Sequence, residues 1–552
     1  MTTRVPLSIT TEMVRAMAVN ESVCVRPLLR RVTDRATGNS TTVAIACGST
    51  RESRCPTCAK KARWLRMTQC AEGWHRDDEP EEPDLEETEP DDEKLHDDDE
   101  EQGTEDVEEE QRRVRSTRRR QDVSDLPRVP IHNHTIGRTF TAPSGVKYRP
   151  SMFVTLTLPS YGKVIPGRGV PLHPGRYDYR RAALDALHFP KLVDRWVQNL
   201  RRGAGYKVQH FSAVEPQRRL APHLHTALRG AIPRQIVKAV TKGTYLHLWW
   251  PPFEDALYVD RLPLWDRDQE CYRDPDTGLP LTTWRQALDR LDADQNAAPV
   301  HAMRFGSQVD IKGIDGGSPD ADRAVRYLTK YLTKAVTETY TDPEGEHIDP
   351  AYDAHIDRMH HELQYLPCSV ECANWLRYGI QPKNPGPGLI PGYCASKAHD
   401  REHLGLGGRR VLVSRKWSGK TLTEHRADRA AVVCQVLQAA GVEAPEADRL
   451  SVDVLHEDGK PRFVWDDTPV TGADYTEVLV ASVMERRRWR AQYNTAKQAA
   501  LERDGPPVDN RSATAKDTAP DSAQQKGTDE NQSGAAGSGA DRCGGRAVVD
   551  GG

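Results

Sequence analysis

The stretch YKVQHFSAVEPQRRLAPHLHTALRG, residues 206–230, decides how the rest of the chain is read. Tyr206–Pro216 and His223–Gly230 each read as a strand. The intervening QRRLAP is short enough to fold the chain back, so the two runs predict neighbouring antiparallel strands. Residues two apart in a strand share a face. His223 and His225 therefore present two imidazoles on one surface, and antiparallel pairing brings the Glu215 carboxylate beside them. Two histidines and a carboxylate hold a divalent ion while leaving positions open for a substrate oxygen. A His-x-His pair by itself is weak evidence, since two part-exposed strand histidines have the same spacing.

Outward from this pair, strands and helices alternate. SMFVTLTLPS (Ser151–Ser160) predicts a strand with Phe153, Thr155 and Thr157 on one face and Val154, Leu156 and Leu158 on the other. Ala183–Arg202 predicts a helix interrupted near Pro190. Ile232–Trp250 predicts a second helix with Pro233 in its first turn, and Arg304–Ile314 a further strand. Asp320–Val336 predicts a helix with acidic residues in its first turn. There RYLTKYLTK sets Tyr327 and Tyr331 four apart on one face, with Lys330 and Lys334 on a neighbouring stripe. The competing expectation is that both tyrosine rings pack in the core beside Leu328 and Leu332.

TLTLP, HLH and YLTKYLTK, in that order, resemble the three motifs of the HUH endonucleases. The likeness is greatest to the two-tyrosine replication initiators of rolling-circle plasmids and single-stranded phages. CGSTRESRCPTCAKKARWLRMTQCAEGWH, CANWLRYG and LGLGGRRVLVSRKWSGKTL are similar to segments of replication initiators of actinobacterial plasmids and integrative elements. The resemblance covers residues 20–75 and 125–430. It implies an α+β fold: an antiparallel sheet with flanking helices, of RNA-recognition-motif-like topology. It implies His223 and His225 as metal ligands, Glu215 as a third, and Tyr327 and Tyr331 as nucleophiles. The ion would be Mg²⁺ or Mn²⁺, and Lys330 or Lys334 would help favour phenolate. The activity implied is nicking and rejoining of single-stranded origin DNA through a 5′-phosphotyrosine, starting rolling-circle replication with a host helicase and polymerase.

Charge and cysteine content fit a DNA partner and metal-stapled modules. The net charge of −4 conceals a block, Asp77–Glu110, with 22 Asp and Glu against one Lys; the remainder carries +17. A basic remainder suits a polyanion. SRKWSGK offers Arg415, Lys416, Trp417 and Lys420 as DNA contacts, the cations for phosphate and the ring for a base. Five of the 11 cysteines fall within the first 70 residues. Cys47, Cys55 and Cys58, with the C-x2-C knuckle of a tetrahedral site, predict a structural zinc completed by Cys24, with Cys70 or His75 as spares. Cys368, Cys372 and Cys394 form a second possible set lacking an obvious fourth ligand beyond His361 or His399.

The expected organisation is a Cys-rich module (1–75), an acidic then basic linker (76–125), a nuclease domain (126–340), a C-terminal α/β DNA-binding or accessory region (341–505) and a polar tail (506–552). No stretch approaches the ~18 apolar residues of a membrane span and no export signal is evident, so a cytoplasmic protein without membrane contact is expected. Three alternatives are weighed. An HUH relaxase or transposase would share the chemistry. A non-haem iron oxygenase would use the same ligand types but leave the tyrosine–lysine helix unexplained. A non-enzymatic zinc-bearing DNA-binding regulator would not need the tyrosines.

Overall fold

The computed structural model describes residues 10–76, 78–79, 126, 128–137, 139–145, 147–330, 332–333, 349–407, 410–439, 455–456, 458–467 and 472–504. Most of the acidic block, the basic run Arg112–Arg120, Tyr331, Lys334 and the tail from 505 lie outside these residues. The chain divides into two units, Met1–Lys497 and Gln498–Gly552. The elements begin with helix α1 (Thr11–Asn20), strands β1 (Leu28–Asp34) and β2 (Ser40–Ile45), and helix α2 (Pro56–His75). Next come β3 (Phe140–Thr141), β4 (Lys147–Tyr148), β5 (Pro150–Thr157), helix α3 (Tyr179–Ala204), β6 (His210–Pro216) and β7 (Pro222–Leu228). They are followed by helix α4 (Arg234–Gly243), β8 (Tyr245–Leu248), β9 (Leu264–Asp266), β10 (Cys271–Arg273) and helix α5 (Trp284–Ala293). Then β11 (His301–Arg304), β12 (Val309–Asp315), helix α6 (Pro319–Leu328) and helix α7 (Pro350–Tyr365) lead to β13 (Val411–Val413), helix α8 (Leu422–Ala439), β14 (Phe463–Asp467) and helix α9 (Gly472–Asp504).

The two strands read in residues 206–230 become the centre of a five-stranded sheet of order β12-β5-β7-β6-β13, antiparallel throughout. One face carries Val154, Leu156, Val214, Leu224 and Leu228, buried against Phe189, Leu192, Trp196 and Leu200 of α3. Burying each such side chain stabilises the fold by about 1.5–3 kcal/mol, so this layer is the main core. The opposite face carries Phe153, Phe211, Ala213 and Ala227 and is partly covered by α2 (Cys70, Trp74), α6 (Ala321, Val325, Leu328) and Trp417. The ends of α3 are set locally. The Asp178 carboxylate accepts from Arg181 N, and Gly205, at φ +75°, terminates the helix.

Four expectations about elements are corrected. Helix α3 runs unbroken through Pro190, because Phe189, Leu192 and Val193 are buried around it and hold the helix despite the missing N–H. Ile232–Trp250 is not one helix. It ends at Gly243, and Tyr245–Leu248 pairs with β11, a remote strand whose ladder outweighs local helical propensity. Arg304–Ile314 is split between β11 and β12. Helix α6 stops at Leu328, with Thr329 and Lys330 in a turn.

The expected segments also interleave. β14 pairs with β1, which pairs with β2, so the N-terminal sheet is completed by residues 463–467. The turn before β14 is a hairpin at Asp458-Gly459: Gly459 has φ +74° and Leu455 bridges to Pro461. Likewise β13, from the C-terminal region, supplies an edge of the central sheet through Val411↔Ala213 and Val413↔Phe211. Among the described residues no helix is long and apolar enough to cross a membrane.

Candidate active site and metal centres

The register of the central sheet builds the site. Glu215 lies directly across from His223 on β7, and Thr157 faces the same histidine from β5. One row along, Ala213 and Thr155 flank His225. All these side chains project to one face, and the two imidazole centroids are 4.4 Å apart. Helix α6 crosses over this face. Ala321, Val325 and Leu328 are buried, which leaves Tyr327 pointing toward β7 with 45% of its surface exposed. Tyr327 Oη lies 3.2 Å from His225 Nε2, and a Glu215 carboxylate oxygen lies 3.5 Å from the same nitrogen. Phe153 braces both rings, edge-on to Tyr327 and stacked on His225.

Neighbours fix the orientation of each imidazole. His225 Nδ1 is 3.1 Å from Thr155 Oγ1. His223 Nδ1 is 2.7 Å from Gln217 Nε2, and Arg219 Nε donates to Gln217 Oε1 at 2.8 Å. Arg219 is itself anchored, donating to the carbonyls of Pro159 and Leu158 at 2.7 and 2.6 Å. His223 Nε2 is buried with no hydrogen-bond partner. Burial, and then the neighbouring His225 and Arg219 charges, lowers the His223 pKa to about 4. Its ring is thus neutral at physiological pH, the form that donates to a metal.

An orphaned imidazole nitrogen, a second imidazole and a carboxylate suit a divalent cation with open positions. Among the described residues, two cysteine clusters have their ligand atoms within 4.8 Å of one another, and the His223–His225–Glu215 set is more open than these. Sequence reasoning missed Thr155, Gln217 and Arg219. No sequence signal marked Gln217 and Arg219, which lie in the turn after β6. Lys330 is exposed in the turn after α6, while Leu328 is buried and Leu332 packs beside it.

Residues 10–476 match the family described as replication initiator protein, pSAM2 (RepSA). The chain belongs to this replication-initiator family. No curated protein and no solved structure matches it. The partner of a replication initiator is DNA at an origin, which agrees with the basic remainder of the chain.

The initiator's two cysteine clusters could each hold a metal such as zinc. In the first, Cys24, Cys47, Cys55 and Cys58 converge, with Cys55 capping α2 and its sulfur 3.8 Å from that of Cys24. Backbone N–H groups of Arg26 and Cys47 donate to Cys24 Sγ at 3.4 and 3.3 Å, while burial, the larger effect, raises the pKa of its thiol. The spares are engaged elsewhere: Cys70 is buried under Trp417, and His75 pairs with Asp322 at 3.1 Å. In the second, His399 joins Cys368, Cys372 and Cys394 as the fourth group. His399 Nδ1 donates to Leu363 O at 2.6 Å and leaves Nε2 3.6 Å from Cys372 Sγ. His361 is not in this group.

The expected DNA loop is corrected at its aromatic residue. Trp417 is fully buried, packed on Trp74 and Phe211 beneath the Arg229 guanidinium, and its Nε1 donates to Cys70 O at 3.2 Å. No base can stack on it. A local mixture of Arg, Lys and Trp does not reveal that α2 covers the ring. Lys420 is tied to Asp428 at 2.7 Å, Lys416 is half-buried, and Arg415 is exposed.

Proposed function

We propose that this initiator is an HUH endonuclease that nicks and rejoins one strand of origin DNA by tyrosine transesterification. The observation that carries the reading is Tyr327 Oη at 3.2 Å from His225 Nε2, with Glu215 at the same nitrogen. The antiparallel sheet with its histidine pair on the central strand supports it. Tyr327 Oη attacks a backbone phosphorus, the P–O3′ bond breaks, and the 3′ oxygen leaves as a hydroxyl after taking a proton. The 5′ phosphate stays on the tyrosine, and the phosphodiester energy is retained for rejoining. A Mg²⁺ or Mn²⁺ ion held by His223, His225 and Glu215 would polarise the phosphate and lower the barrier to attack.

The protein's own groups then have defined tasks. Tyr327 must swing outward by the width of a phosphate, which its exposed position allows. Ligation through His223 Nε2 requires the ring proton on Nδ1, so the Gln217 amide must turn its oxygen to accept it. Tyr331 is assigned the second cut after a round of synthesis, and Lys330 and Lys334 the stabilisation of phenolate; Tyr331 and Lys334 lie outside the described residues. The freed 3′-hydroxyl primes a host polymerase behind a host helicase.

The test uses one single-stranded substrate labelled at either end, with Mn²⁺. The 3′-labelled fragment should migrate with the protein under denaturing conditions, and the 5′-labelled fragment should run free with an extendable 3′-hydroxyl. Release of both fragments without a protein-linked species would refute transesterification.

A further inference from the structure

Helix α9 begins in a packed environment. Leu479 and Val483 are buried with Val14, Ala18, Cys24, Cys55 and Cys58. Arg487 and Arg490 pair with Glu21 at the end of α1, at 2.9 and 2.8 Å. Among the described residues nothing comparable covers the helix past Val483: from Met484 to Lys497 every residue whose burial is described is exposed or half-exposed. This stretch, MERRRWRAQYNTAK, holds five cations against one glutamate. Arg486 and Arg488 are exposed, and they stand outside the Glu21 pairing that engages Arg487 and Arg490. A polyanion is the partner such cations fit.

We propose that residues 486–497 of α9 form a duplex-DNA-binding helix, which anchors the initiator at the origin through residues other than those of the proposed nicking site. Arg486 and Arg488, two residues apart, are about 200° apart around the helix axis and reach out on opposite flanks. A helix about 10–12 Å across fits a major groove about 12 Å wide, with cations on both flanks meeting both phosphate walls. A single strand supplies one wall only. Trp489 and Tyr493, half-exposed four residues apart, lie on the Arg486 side and supply amphipathic contact surface. The first cysteine cluster gains a purpose here: its core residues include the turns of α9 that aim this segment.

The full-length protein and an Arg486→Ala/Arg488→Ala variant are titrated with a labelled mixed-sequence duplex and with labelled oligothymidine across a salt series. Loss of two phosphate contacts should make the log–log salt dependence of duplex binding shallower by about 1.8, with affinity at low salt down roughly tenfold or more. Oligothymidine binding and single-strand nicking, read in parallel, should stay near wild type. The Arg486→Lys/Arg488→Lys variant should keep the duplex salt dependence. An unchanged duplex salt slope in the alanine variant, or an equal loss on oligothymidine, overturns the proposal. Because the duplex titration needs no cleavage, its outcome is independent of whether the nicking mechanism holds.

Discussion

The proposed chemistry turns on a few residues whose positions follow from strand register. Glu215 and His223 are cross-strand partners, so any residue that orients His223 acts on the whole proposed ligand set. Gln217 is that residue, held by Arg219. Gln217→Leu should raise the Mn²⁺ concentration giving half-maximal nicking by about 10–100-fold, with most activity restored at saturating Mn²⁺. Gln217→Glu can accept from both His223 Nδ1 and Arg219 Nε, so it should retain or tighten metal dependence. A metal titration of nicking separates these outcomes. His210 makes a second prediction at this scale. It is buried, and burial followed by the Arg201 charge lowers its pKa to about 3. Above the unfolded pKa of about 6.5 both states are neutral and the native state is not penalised. As pH falls below 6.5 the unfolded state gains a proton that the folded state refuses. At pH 5 this single group should cost ~2 kcal/mol of stability. Thermal melts of wild type and His210→Asn at pH 7.5 and 5 should show the acid loss shrinking in the variant. His223, His225 and Glu215 were legible in the sequence because a two-residue period assigns faces unaided. Gln217, Thr155 and Arg219 were not, because their partners are fixed only once strands pair.

At the scale of elements, Trp417 shows what local composition cannot decide. Its ring lies against Gly73 so closely that a Cβ there would fall 2.1 Å from Trp417 Cδ1, and any side chain at 73 must displace the indole. Trp417 therefore locks α2 onto the sheet. Trp417→Ala should destabilise the protein by about 3–5 kcal/mol, as large-to-small core changes do. Denaturant melts should register this loss, and any loss of DNA binding should track the unfolded fraction rather than precede it. The same limit explains the misassigned elements. Tyr245–Leu248 has a helical neighbour in sequence but a strand partner, β11, far along the chain. Only that pairing makes it a strand. By contrast β5, β6, β7 and the start of α6 were readable, because the signals for them are contained within each segment; the end of α6 was not.

At the scale of the whole molecule, modules contiguous in sequence are stitched together by distant segments. β14 completes the N-terminal sheet, β13 extends the central one, and α9 packs beside the first cysteine cluster. No such long-range pairing could be read from the linear order, so the expected domain limits missed it. The two clusters that could each hold a metal gather the cysteines that sequence spacing grouped, with His399 joining the second. The purified protein should carry about two zinc ions per chain, and Cys55→Ser about one. Metal analysis by mass spectrometry checks both, and the variant should melt earlier because α1 and α9 share that core.

The most direct measurement is to trap the protein on a single-stranded oligonucleotide with Mn²⁺, digest the adduct, and locate the nucleotide-bearing peptide by mass spectrometry. The expected result is a nucleotide esterified to Tyr327, with Tyr327→Phe abolishing that species. An adduct confined to another residue, or undiminished in Tyr327→Phe, would contradict the placement of the attacking oxygen beside His225.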